Sequence, residues 1–235
     1  MFFPDRIKNI LPTDKVLEIG PGSNPHPRSD IYLEKIFKDD SEYFEQRGKT
    51  SKIIFQKPVY YYNNDYFPFK DNEFDYVICS HVLEHVEKLD VFVSEMCRVA
   101  SKGYIEYPTI YYDYIYNIPV HTTLLFYEDG ILHWMLKKQI PIDLFQPVQF
   151  FFYKTLENHY YNFIDSFQNY FFQGFEWEEK ISTLLTNKIT DLCYHNNIVI
   201  VPKLDNPIDS EIIENDLTIS KCTKTLFKLI LNLFK

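Results

Sequence analysis

The sequence lacks the features that mark disulfide-bonded, membrane-spanning and secreted proteins. Its four cysteines, Cys79, Cys97, Cys193 and Cys222, form no Cys-x-x-Cys pair, and we expect unpaired thiols in a reducing compartment. No apolar run reaches the length of a transmembrane helix, and the first residues show no signal-peptide pattern. The expected location is therefore the cytoplasm.

Basic charge is also scarce. The 235 residues include 24 Lys and Arg against 33 Asp and Glu, which gives a formal net charge of -9. Because phosphate binding requires a basic face, we expect no nucleic acid as a partner. Hydrophobic residues make up 46% of the chain. A chain of this length can bury roughly 70% of its unfolded surface, so the composition predicts one soluble domain with a large core.

Residues 15–34 predict a buried strand, a glycine turn and a second short strand that ends in a carboxylate. The first apolar run is interrupted only by Glu18, near its carboxyl end. Gly20 and Gly22 then permit a sharp turn and let a ligand lie against bare backbone. After the second apolar run, Glu34 could accept hydrogen bonds from both hydroxyls of a ribose. The pattern therefore predicts a cofactor that contains a ribose.

Two missing residues narrow the choice of cofactor. A dinucleotide-binding fingerprint needs Gly-x-Gly-x-x-Gly, but Pro25 occupies the position of the third glycine. No Walker lysine follows, which disfavours a nucleoside triphosphate. The segment resembles motif I of the class I S-adenosylmethionine-dependent methyltransferases, an acidic residue followed by Gly-x-Gly-x-Gly, with Asn24 at the last glycine. The predicted cofactor is therefore S-adenosyl-L-methionine.

A second stretch, residues 64–86, is similar to another signature of these enzymes, D-x-x-PF-x-D-x-x-FD-x-V-x-x-x-x-V-LEH-V. Residues 74–80 within it also predict a buried strand by themselves. Two signals at the spacing of the family are more specific than either alone. The resemblance covers about residues 12–110 and points to the type 11-like methyltransferase domains.

The resemblance implies a role for each matched position. Glu18 would meet the methionyl ammonium, Glu34 the ribose, and Asp65 the adenine amino group. The other expected cofactor contacts lie in the glycine turn, in the adenine loop and at the end of the fourth strand: Gly20, Pro21, Gly22, Ser23, Asn24, Tyr66 and Ser80.

Two histidines are candidate catalytic bases for the methyl acceptor, His81 at the end of the fourth strand and His121 near a later hairpin. The alternative, which the sequence favours by a small margin, is that His81 is a helix-start residue that packs beside the cofactor. Residues 81–85 also match the His-x-x-Glu-His pattern of some zinc proteases. Because the same letters belong to the methyltransferase signature, we do not expect zinc proteolysis, and we assign no metal ligands; metal dependence is left open.

The resemblance implies an α/β fold with a Rossmann-like doubly wound sheet, mostly parallel, with an antiparallel last hairpin strand, an aromatic-rich cap and a C-terminal helix. The methyltransferase domain is predicted at residues 1–185, with the sheet core at about 12–137 and the cap at about 141–177. Residues 120–137 predict the hairpin that supplies the last strands of the sheet. Residues 186–235 are predicted to be an extension that ends in a basic amphipathic helix, which could pack on protein or lie on a membrane surface.

The link between the first two strands is short. Glu18 and Glu34 are only 16 positions apart, and three prolines lie between them, Pro21, Pro25 and Pro27. Because proline disfavours helix interiors, the usual helix is predicted to be shortened or replaced by a loop.

The sequence favours an enzyme that O-methylates a small molecule or a glycan precursor. The alternative is a binding or scaffold protein that keeps the fold without turnover, which Asn24 and the short first loop suggest. A zinc hydrolase is the third hypothesis.

Overall fold

The computed structural model describes residues 3–47, 52–63, 66–158 and 161–194. The strands in these ranges are β1 (Val16–Ile19), β2 (Ile31–Lys35), β3 (Val59–Tyr62), β4 (Tyr76–Ser80), β5 (Lys102–Pro108), β6 (Thr123–Glu128), β7 (Ile131–Leu136), β8 (Phe172–Glu178) and β9 (Ser182–Leu185). The helices are α1 (Asp40–Arg47), α2 (Leu89–Val99), α3 (Ile110–Tyr116), α4 (Gln146–Glu157) and α5 (Asn162–Phe171).

The central sheet has six strands in the order β3-β2-β1-β4-β5-β8. Strands β1 to β5 run parallel, and β8 pairs antiparallel with β5. All four residues of β1 are buried, which is why its sequence is a nearly continuous apolar run rather than an alternating one. The predicted Rossmann-like, mostly parallel α/β fold is confirmed. The strand order reverses between β1 and β4, and open α/β sheets bind ligands at such a point.

The hairpin forms as predicted but lies in another sheet. β6 and β7 pair antiparallel, and β9 joins β7 to complete a separate three-stranded sheet. The prediction that residues 120–137 supply the last strands of the central sheet is therefore wrong. β8, whose residues fall in the range predicted for the cap, occupies that edge along the whole length of β5.

Two glycines explain why β8 fits against β5. A Cβ on Gly103 would lie 2.9 Å from Trp177 Nε1, and a Cβ on Gly174 would lie 2.2 Å from the hydroxyl oxygen of Tyr104. The missing side chains give these two large rings their space across the strand pair. Because polar residues and a glycine interrupt the sequence of β8, it contains no apolar run that would predict a strand.

The predicted loss of the first helix is confirmed. No helix lies between β1 and β2, and residues 20–30 form turns and extended chain. The helix α1 follows β2 instead, and Arg47 is its last residue.

Helix α2 packs an apolar face on the sheet and fixes the preceding loop with two charged residues. Glu95 accepts a hydrogen bond from Phe67 N at 2.8 Å. Arg98 donates to the carbonyl oxygens of Phe67 (3.0 Å) and Phe69 (2.7 Å) and pairs with Glu95. The loop that precedes β4 is thus held by an ion pair that is largely shielded from water.

A largely aromatic cluster joins α3, α4, α5 and the first residue of β8. Tyr116, Ile164, Phe171 and Phe172 are its buried members. Among the described residues, none of the helices combines the length and the apolar character needed to cross a bilayer. The predicted amphipathic helix near the end of the chain lies outside the described residues.

Candidate active site

A cavity of about 720 Å³ opens at the carboxyl ends of β1, β2 and β4. This volume lies within the range of small-molecule sites. The predicted site residues that line it are Glu18, Gly20, Pro21, Gly22, Ser23, Asn24, Glu34, Ser80 and His81. The fold therefore brings together residues that are up to about sixty positions apart in the sequence.

The glycine turn forms one wall of the cavity. Gly20 and Gly22 have φ angles of +59° and +60°, which side chains rarely tolerate. A Cβ on Gly20 would lie 2.6 Å from Val82 Cγ2, whereas a Cβ on Gly22 would meet no atom within 4 Å. Gly20 is thus required by packing, and Gly22 leaves bare backbone facing open space where a ligand can approach.

Glu18 lies at the base of this wall and is 4% exposed. Its Oε2 accepts hydrogen bonds from Ser29 Oγ at 2.5 Å and from His26 N at 2.9 Å. Burial raises the pKa of Glu18 to about 7, although these hydrogen bonds oppose the shift. Glu18 can therefore exchange a proton near neutral pH.

Glu34, at the end of β2, has a partner that the sequence analysis did not find. Its Oε2 is paired with the guanidinium of Arg47, and its Oε1 accepts a hydrogen bond from Lys35 N at 2.9 Å. Burial lowers the pKa of Arg47. The acids in the first turn of α1 and the arginine in its last turn could have marked a helix with a basic end, but not its target.

Of the two predicted adenine contacts, the structure describes only Tyr66. Asp65 lies outside the described residues. Tyr66 is 62% exposed, stacks under Arg98 at 4.7 Å, and is not among the residues that line the cavity. Tyr62 and Phe92 do line it, with ring centroids 5.9 Å apart, and they give this end of the cavity an apolar wall.

His81 lies directly after β4 with a φ angle of +57°, so it begins a turn rather than a helix. Its Nδ1 is 3.4 Å from Glu84 Oε1, and its Nε2 is 3.2 Å from Glu106 Oε1. Burial alone would lower the pKa of His81, but the contacts with Glu106 and Glu84 raise it. The imidazole is therefore held between two carboxylates at the edge of the cavity.

Both of those carboxylates are buried. Glu106 accepts hydrogen bonds from Ser80 Oγ at 3.0 Å and from the Tyr104 hydroxyl at 2.8 Å. Burial would raise the pKa of Glu84, but His81 and the neighbouring histidines lower it to about 2. Glu84 is thus an anion next to His81 at neutral pH.

His121 does not line the cavity. Its Nδ1 lies 2.9 Å from Asp113 Oδ2, and Asp113 in turn accepts a hydrogen bond from Lys137 Nζ at 2.8 Å. The ring of His121 packs against His85, with centroids 5.1 Å apart, and His85 is the residue that reaches the cavity. Sequence analysis therefore missed His85 as the histidine nearest the site after His81.

Comparisons with known proteins bear on the same region. Residues 33–105 match the family described as "Methyltransferase domain". A search of curated proteins found no match.

Similar solved structures include the YcgJ protein from Bacillus subtilis, with 16% identity over 46% of this chain and 54% of that chain and a TM-score of 0.33. A protein from Bacillus halodurans C-125 has 19% identity over 50% of this chain and 59% of that chain, with a TM-score of 0.36. A SAM-dependent methyltransferase from Aquifex aeolicus has 17% identity over 41% of this chain and 57% of that chain, with a TM-score of 0.29. The chain thus spans less than two thirds of each of these structures.

The family match includes Glu34, the loop before β4, β4 itself and the turn that holds His81. It confirms, for residues 33–105, the predicted relationship to the class I S-adenosylmethionine-dependent methyltransferases, and S-adenosylmethionine is the cofactor that this relationship implies.

Proposed function

We propose that the protein transfers a methyl group from S-adenosylmethionine to a hydroxyl of a small molecule or a glycan precursor in the cytoplasm. The observation that carries the proposal is the convergence of Glu18, the glycine turn, Glu34 and His81 on one cavity. Two carboxylates, bare backbone and a histidine are the groups that a sulfonium amino acid joined to a nucleoside, together with its acceptor, would require.

The residues at the cavity fit this cofactor. Glu18 would hold the methionyl ammonium, and the open backbone at Gly22 would let the amino-acid end approach closely. Glu34 would hold the ribose hydroxyls once it shares or releases Arg47. The apolar wall at Tyr62 and Phe92 would face the adenine, together with Asp65 if that residue has the role that the resemblance implies.

His81 is the proposed catalytic residue. The cofactor supplies an electrophilic methyl group, so the protein must chiefly align the acceptor and accept its proton. His81 borders the cavity and is oriented by Glu84 and Glu106. Because these carboxylates raise the pKa of His81, its basic form becomes available only as the pH rises above the ordinary range for histidine, and turnover should increase over that interval.

The first test is calorimetric titration with S-adenosylmethionine and S-adenosylhomocysteine. Saturable binding is expected for the wild type and should be lost in Glu34→Ala and Asp65→Ala. Asp165→Ala, in helix α5 and outside the cavity, is the matched control and should bind as the wild type does. A folded wild type that binds neither compound would refute the proposal.

Turnover is tested next by transfer of a labelled methyl group to a panel of phenols, sugars and nucleotide sugars. His81→Asn should bind the cofactor but transfer at least about a hundredfold more slowly, the usual contribution of a general base. Equal transfer rates in His81→Asn and the wild type would remove His81 from the mechanism.

A binding or scaffold protein is the second candidate function. The ion pair between Glu34 and Arg47 engages the carboxylate that the ribose would need, and Asn24 replaces the last glycine of motif I. Cofactor binding without transfer to any member of the panel, in protein whose His81 is intact, would favour this candidate.

A further inference from the structure

Three side chains that the proposed cofactor contacts leave unused lie together at one side of the cavity, which one of them, His85, also lines. Glu84 and His85 belong to the short 3-10 turn Leu83–His85, and His121 lies in the chain before β6. One potential ligand atom from each of the three lies within 4.8 Å of the others. The three residues therefore present a carboxylate and two imidazoles to one small volume.

Both imidazoles are oriented by a hydrogen bond at Nδ1. His85 Nδ1 is 2.9 Å from the carbonyl oxygen of Val120, which can only accept, so Nδ1 carries the proton. His121 Nδ1 is 2.9 Å from Asp113, whose carboxylate is 1% exposed and held by Lys137. In each ring the lone pair is left on Nε2. Metal-binding histidines are commonly held in this way by a carbonyl or a carboxylate.

One carboxylate oxygen of Glu84 is available to bind an ion. Its Oε1 lies 3.4 Å from His81 Nδ1 and 3.9 Å from His85 Nε2. Its Oε2 is buried, and no described residue donates a hydrogen bond to it. A buried anionic oxygen without a partner is costly in free energy, and a bound cation would remove that cost.

From these contacts we propose that Glu84, His85 and His121 bind a divalent first-row transition-metal ion of the zinc or iron(II) kind. Two imidazole donors favour such an ion over magnesium or calcium, which prefer oxygen ligands. Ligand atoms about 2.1 Å from an ion in tetrahedral geometry are about 3.4 Å apart, so the cluster needs to contract by little more than an ångström.

The site differs from the zinc-protease pattern that residues 81–85 match. That pattern would use both His81 and His85, but His81 contacts Glu84 and Glu106. His121, which is remote in sequence, takes the place of His81.

Three protein ligands leave at least one coordination position open. His85 also lines the cavity, so an oxygen of the acceptor is the ligand we assign to that position. This last assignment rests on the proposed function, whereas the ion site itself does not.

The test uses tag-free, chelator-treated full-length protein and cobalt(II) and zinc(II) as probes. Cobalt is followed by its visible absorption, and zinc by calorimetry and by elemental analysis after gel filtration. The variants are Glu84→Gln, His85→Gln and His121→Gln. His133→Gln, in β7, is the matched control because it removes a histidine that is outside the cluster. Circular dichroism of each variant reports whether it folds.

We expect one equivalent of metal in the wild type and in His133→Gln, and at least a hundredfold weaker binding in the three cluster variants. Binding of S-adenosylhomocysteine should persist in His121→Gln, which separates this site from the cofactor site. No stoichiometric binding by the folded wild type, or equal binding in folded cluster variants, would overturn the proposal. Where a variant does not fold, the wild-type cobalt spectrum decides: intense bands support imidazole ligation at low coordination number, and the weak spectrum of the hydrated ion refutes it.

Discussion

The raised pKa of Glu18 makes cofactor affinity depend on pH in a defined direction. Burial raises this pKa to about 7, but the proposed partner of Glu18 is the methionyl ammonium, which requires the carboxylate. Below pH 7 the protein must first lose a proton from Glu18, and that cost weakens binding. Binding should therefore release a proton at acidic pH, and this release should decline as the pH rises past 7.

The magnitude follows from the ionised fraction of Glu18. With a pKa of about 7, the carboxylate is present in about one molecule in eleven at pH 6 and in about ten of eleven at pH 8. The Kd for S-adenosylmethionine should thus be about tenfold larger at pH 6. Calorimetry in buffers of different ionisation enthalpy measures both the Kd and the number of protons released.

Glu18→Gln is the control variant. Its amide oxygen can still accept from Ser29 and His26, so the local hydrogen bonds are retained. The variant should bind more weakly at pH 8 and show no tenfold change between pH 6 and pH 8. A wild-type Kd that is the same at both pH values, or a Gln variant with the pH dependence of the wild type, would refute the assignment of Glu18.

The raised pKa of Glu18 also makes stability depend on pH, but in the opposite direction: cofactor affinity rises with pH, whereas stability falls. A carboxyl whose pKa is higher in the folded state stabilises the fold below its ordinary pKa of 4.5, and this contribution is lost as the pH rises through 7. Each tenfold change in the proton equilibrium is worth about 1.4 kcal/mol, so the loss amounts to at most about 3.5 kcal/mol. Glu18→Gln should therefore unfold at a higher temperature than the wild type at pH 8, and at a similar temperature near pH 4.5.

Four other substitutions have expected outcomes that urea unfolding or calorimetry can measure. Gly20→Ala should lower the free energy of unfolding by about 2–3 kcal/mol, because the new side chain combines a positive φ with the close approach of Val82. Gly22→Ala places its side chain in open space and should lower the free energy of unfolding by only about 1 kcal/mol. Equal losses in the two variants would contradict this explanation. Arg98→Met should cost about 2–3 kcal/mol because it leaves a largely buried carboxylate unpaired, and a loss below about 0.5 kcal/mol would show that the ion pair does not hold the loop. Arg47→Met should tighten cofactor binding several-fold while lowering stability, and weaker binding would mean that this arginine serves the cofactor rather than competing with it.

Local signals identified much of the fold from sequence alone. The buried run of β1, the two glycines after it and the proline-rich link to β2 each determine local backbone geometry, and each prediction about them is confirmed. β8 was missed because its place in the sheet depends on what it packs against. Trp177 and Tyr104 fit against β5 and β8 because Gly103 and Gly174 have no side chains. This fit is a tertiary property that an apolar pattern in the sequence does not predict.

At the site, too, positions set by local sequence and topology could be predicted, whereas positions set by tertiary packing could not. Residues of the glycine turn and strand ends could be predicted because topology brings the carboxyl ends of parallel strands together. Arg47 and His85 could not, because their positions depend on a short helix and a 3-10 turn whose directions are set by packing. His121 was predicted to face the acceptor, but its bond to Asp113 keeps it behind His85.

The two buried acidic residues that face the cavity, Glu18 and Glu34, are each compensated within the protein, and this affects how a cofactor can bind. Glu34 is paired with Arg47, and Glu18 has hydrogen bonds and a pKa that lets it take up a proton. A cofactor that carries an ammonium and two hydroxyls replaces these internal partners rather than adding to them. The net gain is then the difference between two sets of contacts, which is smaller than the sum of the new ones. Changes in pH or at Arg47 should therefore alter cofactor affinity, because they act on the compensating partners and leave the core of the sheet intact.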